Sequence, residues 1–255
     1  MKYQHLRHAT GILHYGGLKI LLDPMLAPKE IYPPIPNSWN NLRNPRIEFP
    51  LDLSSFQPPE YCLVTHLHPD HFDEYAKKNL SDKTYLICQS ENEEDFKNMG
   101  FTNIAAINEH FSIESVSIHR VPGQHGTGHI SDLMGTSSGY VLKASNEPTL
   151  YITGDTIFYE KVKETLYKYK PDIIIAFGGS AQFAQGDPIT LTPEDILNIH
   201  YSVPQARIIC VHMDSINHCR TTKDDLKKFL SSTIENLENY DSFLIPENGE
   251  IIEIK

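Results

Sequence analysis

Residues 65–71 constrain this 255-residue chain more than any other segment. They read Thr-His-Leu-His-Pro-Asp-His, so three imidazoles and one carboxylate lie within six consecutive positions. Neutral imidazole and carboxylate are the ligands that borderline divalent metals such as zinc prefer. The density of such ligands predicts a metal site, because few structural explanations account for it.

The apolar run before this segment indicates where the site lies. Residues 61–64 (Tyr-Cys-Leu-Val) follow Gln-Pro-Pro-Glu, a pattern typical of a short buried strand. The histidines therefore come at the C-terminal end of a strand, where open α/β sheets place their ligand sites.

The composition is that of a folded α/β protein. Hydrophobic residues make up 40% and charged residues 22% of the chain, and strand-like and helix-like segments alternate along it. Apolar segments are evenly spread, so we predict a single domain over residues 1–255. The net charge of −11 and the lack of a basic stripe argue against a nucleic-acid partner, because binding to a phosphate backbone needs clustered Lys and Arg.

The cysteines and the apolar runs indicate the compartment. Cys62, Cys88, Cys210 and Cys219 lack the paired spacing of a zinc knuckle, so we predict reduced core thiols in a reducing compartment. The N-terminus has no apolar signal region, and no run approaches the about 20 apolar residues of a membrane span. We expect a cytoplasmic protein with no membrane partner.

The positions of glycine and proline predict the local structure of residues 11–60. Residues 11–22 predict a β-hairpin with a Gly-Gly turn. Residues 24–60 hold most of the prolines and show no sustained period, which predicts a long irregular loop that acts as a lid or substrate-binding segment. Trp39, Arg43 and Arg46 in this loop are candidates to contact an anionic substrate, although such residues more often lie on an exposed loop without a binding role.

The remaining elements follow from periodicity and capping signals. Helices are predicted at 72–80, from Ser90 to about Gly100 with a Ser90–Glu93 capping box, at 159–169, from Thr192 to about 201 with Pro193 at its first position, and from about 222. Further strands are predicted at 84–88, 104–107, 111–114, 116–119, 139–143, 149–153, 172–177 and 207–211, with a closing strand pair within 243–254. Residues 122–129 are expected to form a glycine-rich loop.

Four strand-like runs end within four residues of a histidine or an aspartate. The first precedes the 65–71 segment, and the others precede His125, Asp155 and His212. If these strands lie in two packed sheets with their C-terminal ends at one edge, the four sets of side chains converge on one groove.

This order of motifs resembles the metallo-β-lactamase superfamily over nearly the whole chain. It consists of His-x-His-x-Asp-His, a histidine in a glycine-containing loop, Thr-Gly-Asp and a strand-terminal histidine. The resemblance implies an αββα sandwich of two mixed β-sheets flanked by helices, with two metal ions at one edge. Within the superfamily, His8-Ala9-Thr10 and residues 17–24 resemble the branch that contains L-ascorbate-6-phosphate lactonase and N-acyl-phosphatidylethanolamine phospholipase D.

The resemblance also implies the ligands and their roles. They are His66, His68 and His125 on the first ion, Asp70, His71 and His212 on the second, and Asp155 as a bridge. A hydroxide would form the other bridge and attack the substrate, since two cations lower the pKa of a shared water to about 7. Zn²⁺ is expected at both positions, with Mn²⁺ as an alternative because the same ligands accept it. Asp70 is thus also a catalytic group, together with His218, a candidate general acid.

Several assignments keep alternatives. His129 competes with His125 for the first ion, and it would otherwise contact substrate or lie in a loop. His218 competes in the same way with His212. Three further residues are candidate partners of the ligands, because metal-bound imidazoles usually donate their free N–H to a carboxylate or carbonyl. These are His8, Asp23 and Asp214, for which a role in a turn, in a helix cap or on the surface is an equal alternative.

The leading hypothesis is a dinuclear-metal hydrolase that acts on an ester-like bond, in a lactone or a phosphorylated small molecule. One alternative is a phosphodiesterase that resembles ribonuclease Z, which the acidic composition disfavours. Another is a metal-binding sensor without turnover, which the complete ligand set disfavours. A homo-oligomer is compatible with the sequence.

Overall fold

The computed structural model describes residues 1–234 and 240–254. Its centre is a pair of seven-stranded mixed sheets. The first sheet has the order β14 (Ile251–Glu253), β1 (Lys2–Arg7), β2 (Thr10–Tyr15), β3 (Leu18–Leu22), β4 (Tyr61–Val64), β5 (Tyr85–Gln89) and β6 (Ile104–Ile107). The second has the order β13 (Phe243–Leu244), β12 (Arg207–Val211), β11 (Ile173–Phe177), β10 (Leu150–Ile152), β9 (Ser138–Lys143), β8 (Val116–Pro122) and β7 (His110–Ile113).

Helices cover the outer faces of the sheets. They are α1 (Glu74–Asn79), α2 (Glu93–Asn98), α3 (Gly128–Met134), α4 (Glu160–Tyr169), α5 (Pro193–Ser202) and α6 (Lys223–Thr233). Apolar residues of α1 and α2 pack on the first sheet, and those of α4, α5 and α6 pack on the second. The predicted αββα sandwich is therefore confirmed. Within the described ranges, every helix is too short or too polar to cross a membrane.

Alternation along the strands explains the layers. In β11, Ile173, Ile175 and Phe177 face the core between the sheets, whereas Ile174 and Ala176 face the helices. Successive side chains of a strand point to opposite faces, so a strand that is apolar on both faces is buried between two layers. The continuous apolar runs of the sequence are these doubly covered strands.

Strand direction brings the predicted site residues to one edge. Strands β3 to β6 run parallel to one another, and so do β10 to β13. Strand β8 pairs antiparallel with β9, which pairs antiparallel with β10, so β8 runs in the direction of β10. The C-terminal ends of β8, β10 and β12 thus lie at one edge of the second sheet.

Three local predictions were wrong. Ser90 opens a 3₁₀ turn and its hydroxyl contacts Glu91, so no capping box forms with Glu93. The two strands predicted as a closing pair lie in different sheets, because β13 pairs with β12 and β14 pairs with β1. Helix α3 was not anticipated, because none of its residues is buried and its apolar residues, Ile130, Leu133 and Met134, span little more than one turn.

Residues 24–60 connect β3 to β4 and contain no helix or strand, as predicted. Arg7, which is 0% exposed, anchors this loop near its start and again at Ile47. Its guanidinium donates to the carbonyls of Met25 at 2.7 Å, of Ile47 at 2.9 Å, and of Ala27. The four cysteines are buried and free, as predicted.

Candidate metal centre

The first predicted ligand group is assembled in the structure. Nε2 of His66 lies 3.0 Å from Nδ1 of His68, and the ring centroid of His125 lies 5.5 Å from that of His66 and 5.3 Å from that of His68. One nitrogen of each ring lies within 4.8 Å of the others. This spacing suits three ligands of one ion.

The second group is assembled beside the first. Nε2 of His71 lies 3.2 Å from Nε2 of His212, and Asp70 Oδ2 lies 3.7 Å and 3.8 Å from these two atoms. His8 joins this group, because its Nε2 lies 3.1 Å from Asp70 Oδ2 and its ring lies 3.7 Å from that of His212. His8 therefore contacts a predicted ligand, as expected of a partner residue.

Asp155 lies between the two groups. Its Oδ2 is 3.4 Å from Nε2 of His125 and 3.4 Å from Nε2 of His71. Its Oδ1 is 3.2 Å from Nε2 of His212. One buried carboxylate thus contacts imidazoles of both groups, and all seven predicted ligands share one groove.

Glycines permit the backbone turns that place two of these side chains. Gly154 has a φ of +61°, and a Cβ there would lie 2.3 Å from the Ser138 carbonyl oxygen. Gly179 has a φ of +92°, and a Cβ there would lie 2.3 Å from the carbonyl oxygen of His212. His212 itself has a φ of 71°, a conformation that costs a non-glycine residue about 1–2 kcal/mol. Backbone strain of this kind concentrates at functional sites.

The electrostatic environment favours, for most of these side chains, the protonation state that binds a metal. Burial raises the pKa of Asp155 and of Asp70, but the surrounding imidazoles outweigh it and hold both pKa values well below their usual range. Burial lowers the pKa of His66 and of His212 well below the usual value. Ionised carboxylates and neutral imidazoles are the forms that bind a metal.

The donor set fits divalent cations. In the described part of the chain, Asp155 Oδ1 is buried without a hydrogen-bond partner, which is costly for a polar atom unless something else binds it. The imidazole nitrogens of His66 and His68, and those of His71 and His212, also face one another at hydrogen-bond distance. A cation in each group would satisfy these lone pairs, and the N/O composition is one that zinc and manganese accept.

Groups behind the ligands hold their orientation. Nδ1 of His71 lies 2.8 Å from Asp23 Oδ2, and Asp23 also accepts hydrogen bonds from the amide and the hydroxyl of Thr65 at 2.7 Å and 2.8 Å. Nδ1 of His125 donates to the Ile189 carbonyl at 2.8 Å. Asp23 was expected here, but Ile189 was missed because a backbone carbonyl has no sequence signature.

Replacing Asp23 by Asn should weaken metal binding by about 10- to 100-fold, the usual cost of losing a partner of a metal ligand. The amide cannot accept from His71 with the strength of a carboxylate. Asp214→Asn is the matched control, because Asp214 accepts from the backbone of Lys223 and belongs to neither ligand group. Competition against a chelator measures both affinities, and equal affinities for the two variants would contradict the assignment.

Other candidates lie apart from the two groups. His129 is exposed on α3, whereas His125 is 3% exposed and faces Asp155. His218 is buried, and burial lowers its pKa to about 4. Its imidazole is therefore neutral near pH 7. In this form the ring suits the role of an N–H hydrogen-bond donor to substrate better than that of a general acid. Asp214 accepts a hydrogen bond from the backbone of Lys223, the first residue of α6, which fits the cap role given above as its alternative.

Two of the three loop residues proposed to contact an anion, Arg43 and Trp39, are engaged elsewhere. The Arg43 guanidinium donates to the carbonyls of Glu30 and Ile31, both in its own loop. The guanidinium of Arg220 lies over the indole of Trp39, with Cζ 4.5 Å from the ring centroid. These contacts stabilise the loop rather than present a free cation to a ligand.

Comparison with known proteins assigns the family. A protein-family model described as "Beta-lactamase superfamily domain" matches residues 19–213. The UPF0173 protein YddR of Bacillus subtilis is 32% identical over 98% of both chains. The chain belongs to the UPF0173 metal-dependent hydrolase family of the metallo-β-lactamase superfamily. A UPF0173 metal-dependent hydrolase of an Exiguobacterium strain is 24% identical over 84% of this chain and 87% of its own.

Two solved structures are similar to this chain over its whole length. An isothiocyanate hydrolase from Delia radicum gut bacteria is similar with a TM-score of 0.93 and 32% identity, over 100% of this chain and 99% of its own. A possible metal-dependent hydrolase from Veillonella parvula gives a TM-score of 0.94 and 31% identity over the same shares. Both solved structures therefore share the whole architecture of this chain.

Proposed function

We propose that this UPF0173 protein is a hydrolase that binds two divalent metal ions, zinc or manganese, through the seven predicted ligands. It acts on an electrophilic carbon of a small molecule, in the first instance an ester-like bond. The observation that carries this proposal is the position of Asp155, whose two oxygens face imidazoles of both ligand groups.

When bound, the two cations supply a nucleophilic hydroxide at neutral pH and polarise the attacked group. The chain's own residues hold and orient this chemistry. Asp23 orients the ring of His71 and the Ile189 carbonyl orients the ring of His125. His218 is available as an N–H donor to the substrate, and no side chain is needed as a covalent nucleophile.

Two substrate classes have support. The resemblance of His8-Ala9-Thr10 and residues 17–24 to the lactonase-containing branch favours a lactone or a phosphorylated ester. The 32% identity to an isothiocyanate hydrolase over the whole chain favours an isothiocyanate as a second candidate. There, water adds to the central carbon and the C–N bond breaks, which gives an amine and carbonyl sulfide. The acidic composition continues to disfavour RNA.

A substrate panel with the metal-loaded protein tests this proposal. It should include lactones, phosphorylated esters, isothiocyanates, thioesters, β-lactams and phosphodiesters. Turnover that a chelator abolishes and added zinc or manganese restores would support the proposal. A purified protein that retains no metal by elemental analysis, or turnover that persists after chelation, would overturn it, and salt-sensitive RNA binding would favour the ribonuclease alternative.

A further inference from the structure

A cavity with mostly apolar walls lies near the candidate metal centre. Its volume is about 420 Å³, and it lies between α3, residues 183–185 and the 24–60 loop. Four large apolar side chains form much of its wall, namely Ile130, Leu133, Met134 and Phe183. The described residues that line the cavity include no charged side chain. A cavity of this size is within the range of about 300–1,000 Å³ that small-molecule sites occupy.

Two walls of the cavity lie near candidate site residues. On one side, the ring of Phe183 lies 6.1 Å from the ring of His218. On the other, a Cβ at Gly126, the residue after His125, would lie 3.3 Å from Ile130 Cγ2. The cavity therefore lies next to His218 and to the turn that carries His125.

The apolar walls are fixed to the core. Ile130, Met134 and Phe183 pack against a buried cluster that includes Ile189, whose carbonyl orients the ring of His125. Leu133, in contrast, is 63% exposed on the last turn of α3. The exposed leucine and the three packed apolar side chains together leave apolar surface accessible to a ligand. Small-molecule sites are lined predominantly by such side chains.

Two arginines near the cavity are engaged in other contacts. Arg220 donates to Gln182 Oε1 at 2.9 Å and lies over the ring of Trp39. Arg43 donates to carbonyls of its own loop. Recognition of a phosphate or carboxylate uses free, charged donors, and the cavity wall provides none among its described residues.

We propose that this cavity binds an uncharged aryl or branched alkyl substituent of the substrate, while the reacting group lies at the metal centre. This inference rests on the proposed function, because it assigns one part of the same groove. The substrate is accordingly a small molecule with an apolar side group, and Leu133 and Phe183 determine its specificity.

Binding of metal-chelating hydroxamates to the zinc-loaded protein tests this without turnover. Phenylacetohydroxamate should bind at least about tenfold more tightly than acetohydroxamate, the discrimination that an apolar pocket gives for an added apolar group. A hydroxamate of succinic acid, which carries a carboxylate instead, should gain nothing. Calorimetry measures all three dissociation constants.

A pair of exposed leucines provides the matched variants. Leu133→Asp should remove most of the preference for the phenyl group, because it places a charge in the cavity wall. Leu42→Asp is the control, since Leu42 is 48% exposed but does not line the cavity. Both side chains are exposed enough that folding should tolerate the change, which thermal unfolding checks.

The outcomes separate the two proposals. Equal affinities for the phenyl and methyl hydroxamates, a preference for the carboxylate, no binding by any of them, or equal effects of the two leucine variants would overturn the inference. A phenyl preference that Leu133→Asp removes would support it. If that preference appears but no panel substrate is hydrolysed, the proposed function fails while the apolar subsite is retained.

Discussion

The Asp155→Asn variant is expected to lose about 1,000-fold or more of kcat/KM on the best panel substrate, which corresponds to about 4 kcal/mol of transition-state stabilisation. The wild-type carboxylate presents one oxygen to His71 and His125 and the other to His212. An amide of the same shape replaces one oxygen by an N–H₂ donor and removes the negative charge. It therefore can no longer bind cations of both groups.

Metal content provides a second measurement for this variant. Elemental analysis should show that Asp155→Asn retains less metal per chain than the wild type, and circular dichroism should show an unchanged fold. Asp82→Asn is the control, because Asp82 is exposed and precedes β5 at the opposite edge of the sheet. If Asp155→Asn kept wild-type metal content and activity, the bridging assignment would be wrong.

The Arg7→Met variant is expected to lose about 3 kcal/mol or more of its free energy of unfolding. Arg7 is fully buried and donates to the carbonyls of Met25, Ala27 and Ile47. Each buried carbonyl left without a donor costs about 1–3 kcal/mol. Since domains are stable by only about 5–15 kcal/mol, this loss is a large fraction of the total. Urea unfolding measures it.

The Arg43→Met variant tests whether the loss of stability in Arg7→Met depends on the burial of the arginine or only on its hydrogen bonds. Arg43 also donates to two carbonyls of the 24–60 loop, but its side chain is exposed. Water can replace the lost donors there, so this variant should be much less destabilised than Arg7→Met. Equal losses of stability in the two variants would show that the loop is not anchored by the buried guanidinium.

The sequence predicted most of the sandwich because its strands are locally distinctive. The run that ends at Val211 is apolar on both faces, and its C-terminal histidine marks the metal edge. The same holds for β4 before the histidine cluster. Helix α5 was also predicted, because Thr192 caps it and Pro193 suits its first turn.

Weak or ambiguous local signals explain the errors. Strands β13 and β14 are two and three residues long, so their sequences do not determine their partners. Helix α3 buries no residue, and its apolar positions span little more than one turn, which is too short a pattern to predict a helix. The choice of His125 over His129 for the assembled cluster likewise depended on where β8 ends and on the turn that follows it.

The sequence by itself determined the types of the candidate ligands, their order along the chain and the strands that carry them, because each depends on neighbouring residues. Only the tertiary structure decided that Asp155 lies between the two groups, that the Ile189 carbonyl orients His125, and that Arg7 anchors the long loop. It also created the apolar cavity beside His218. These features join residues far apart in the chain, and their partners are backbone carbonyls or packed surfaces that leave no local pattern.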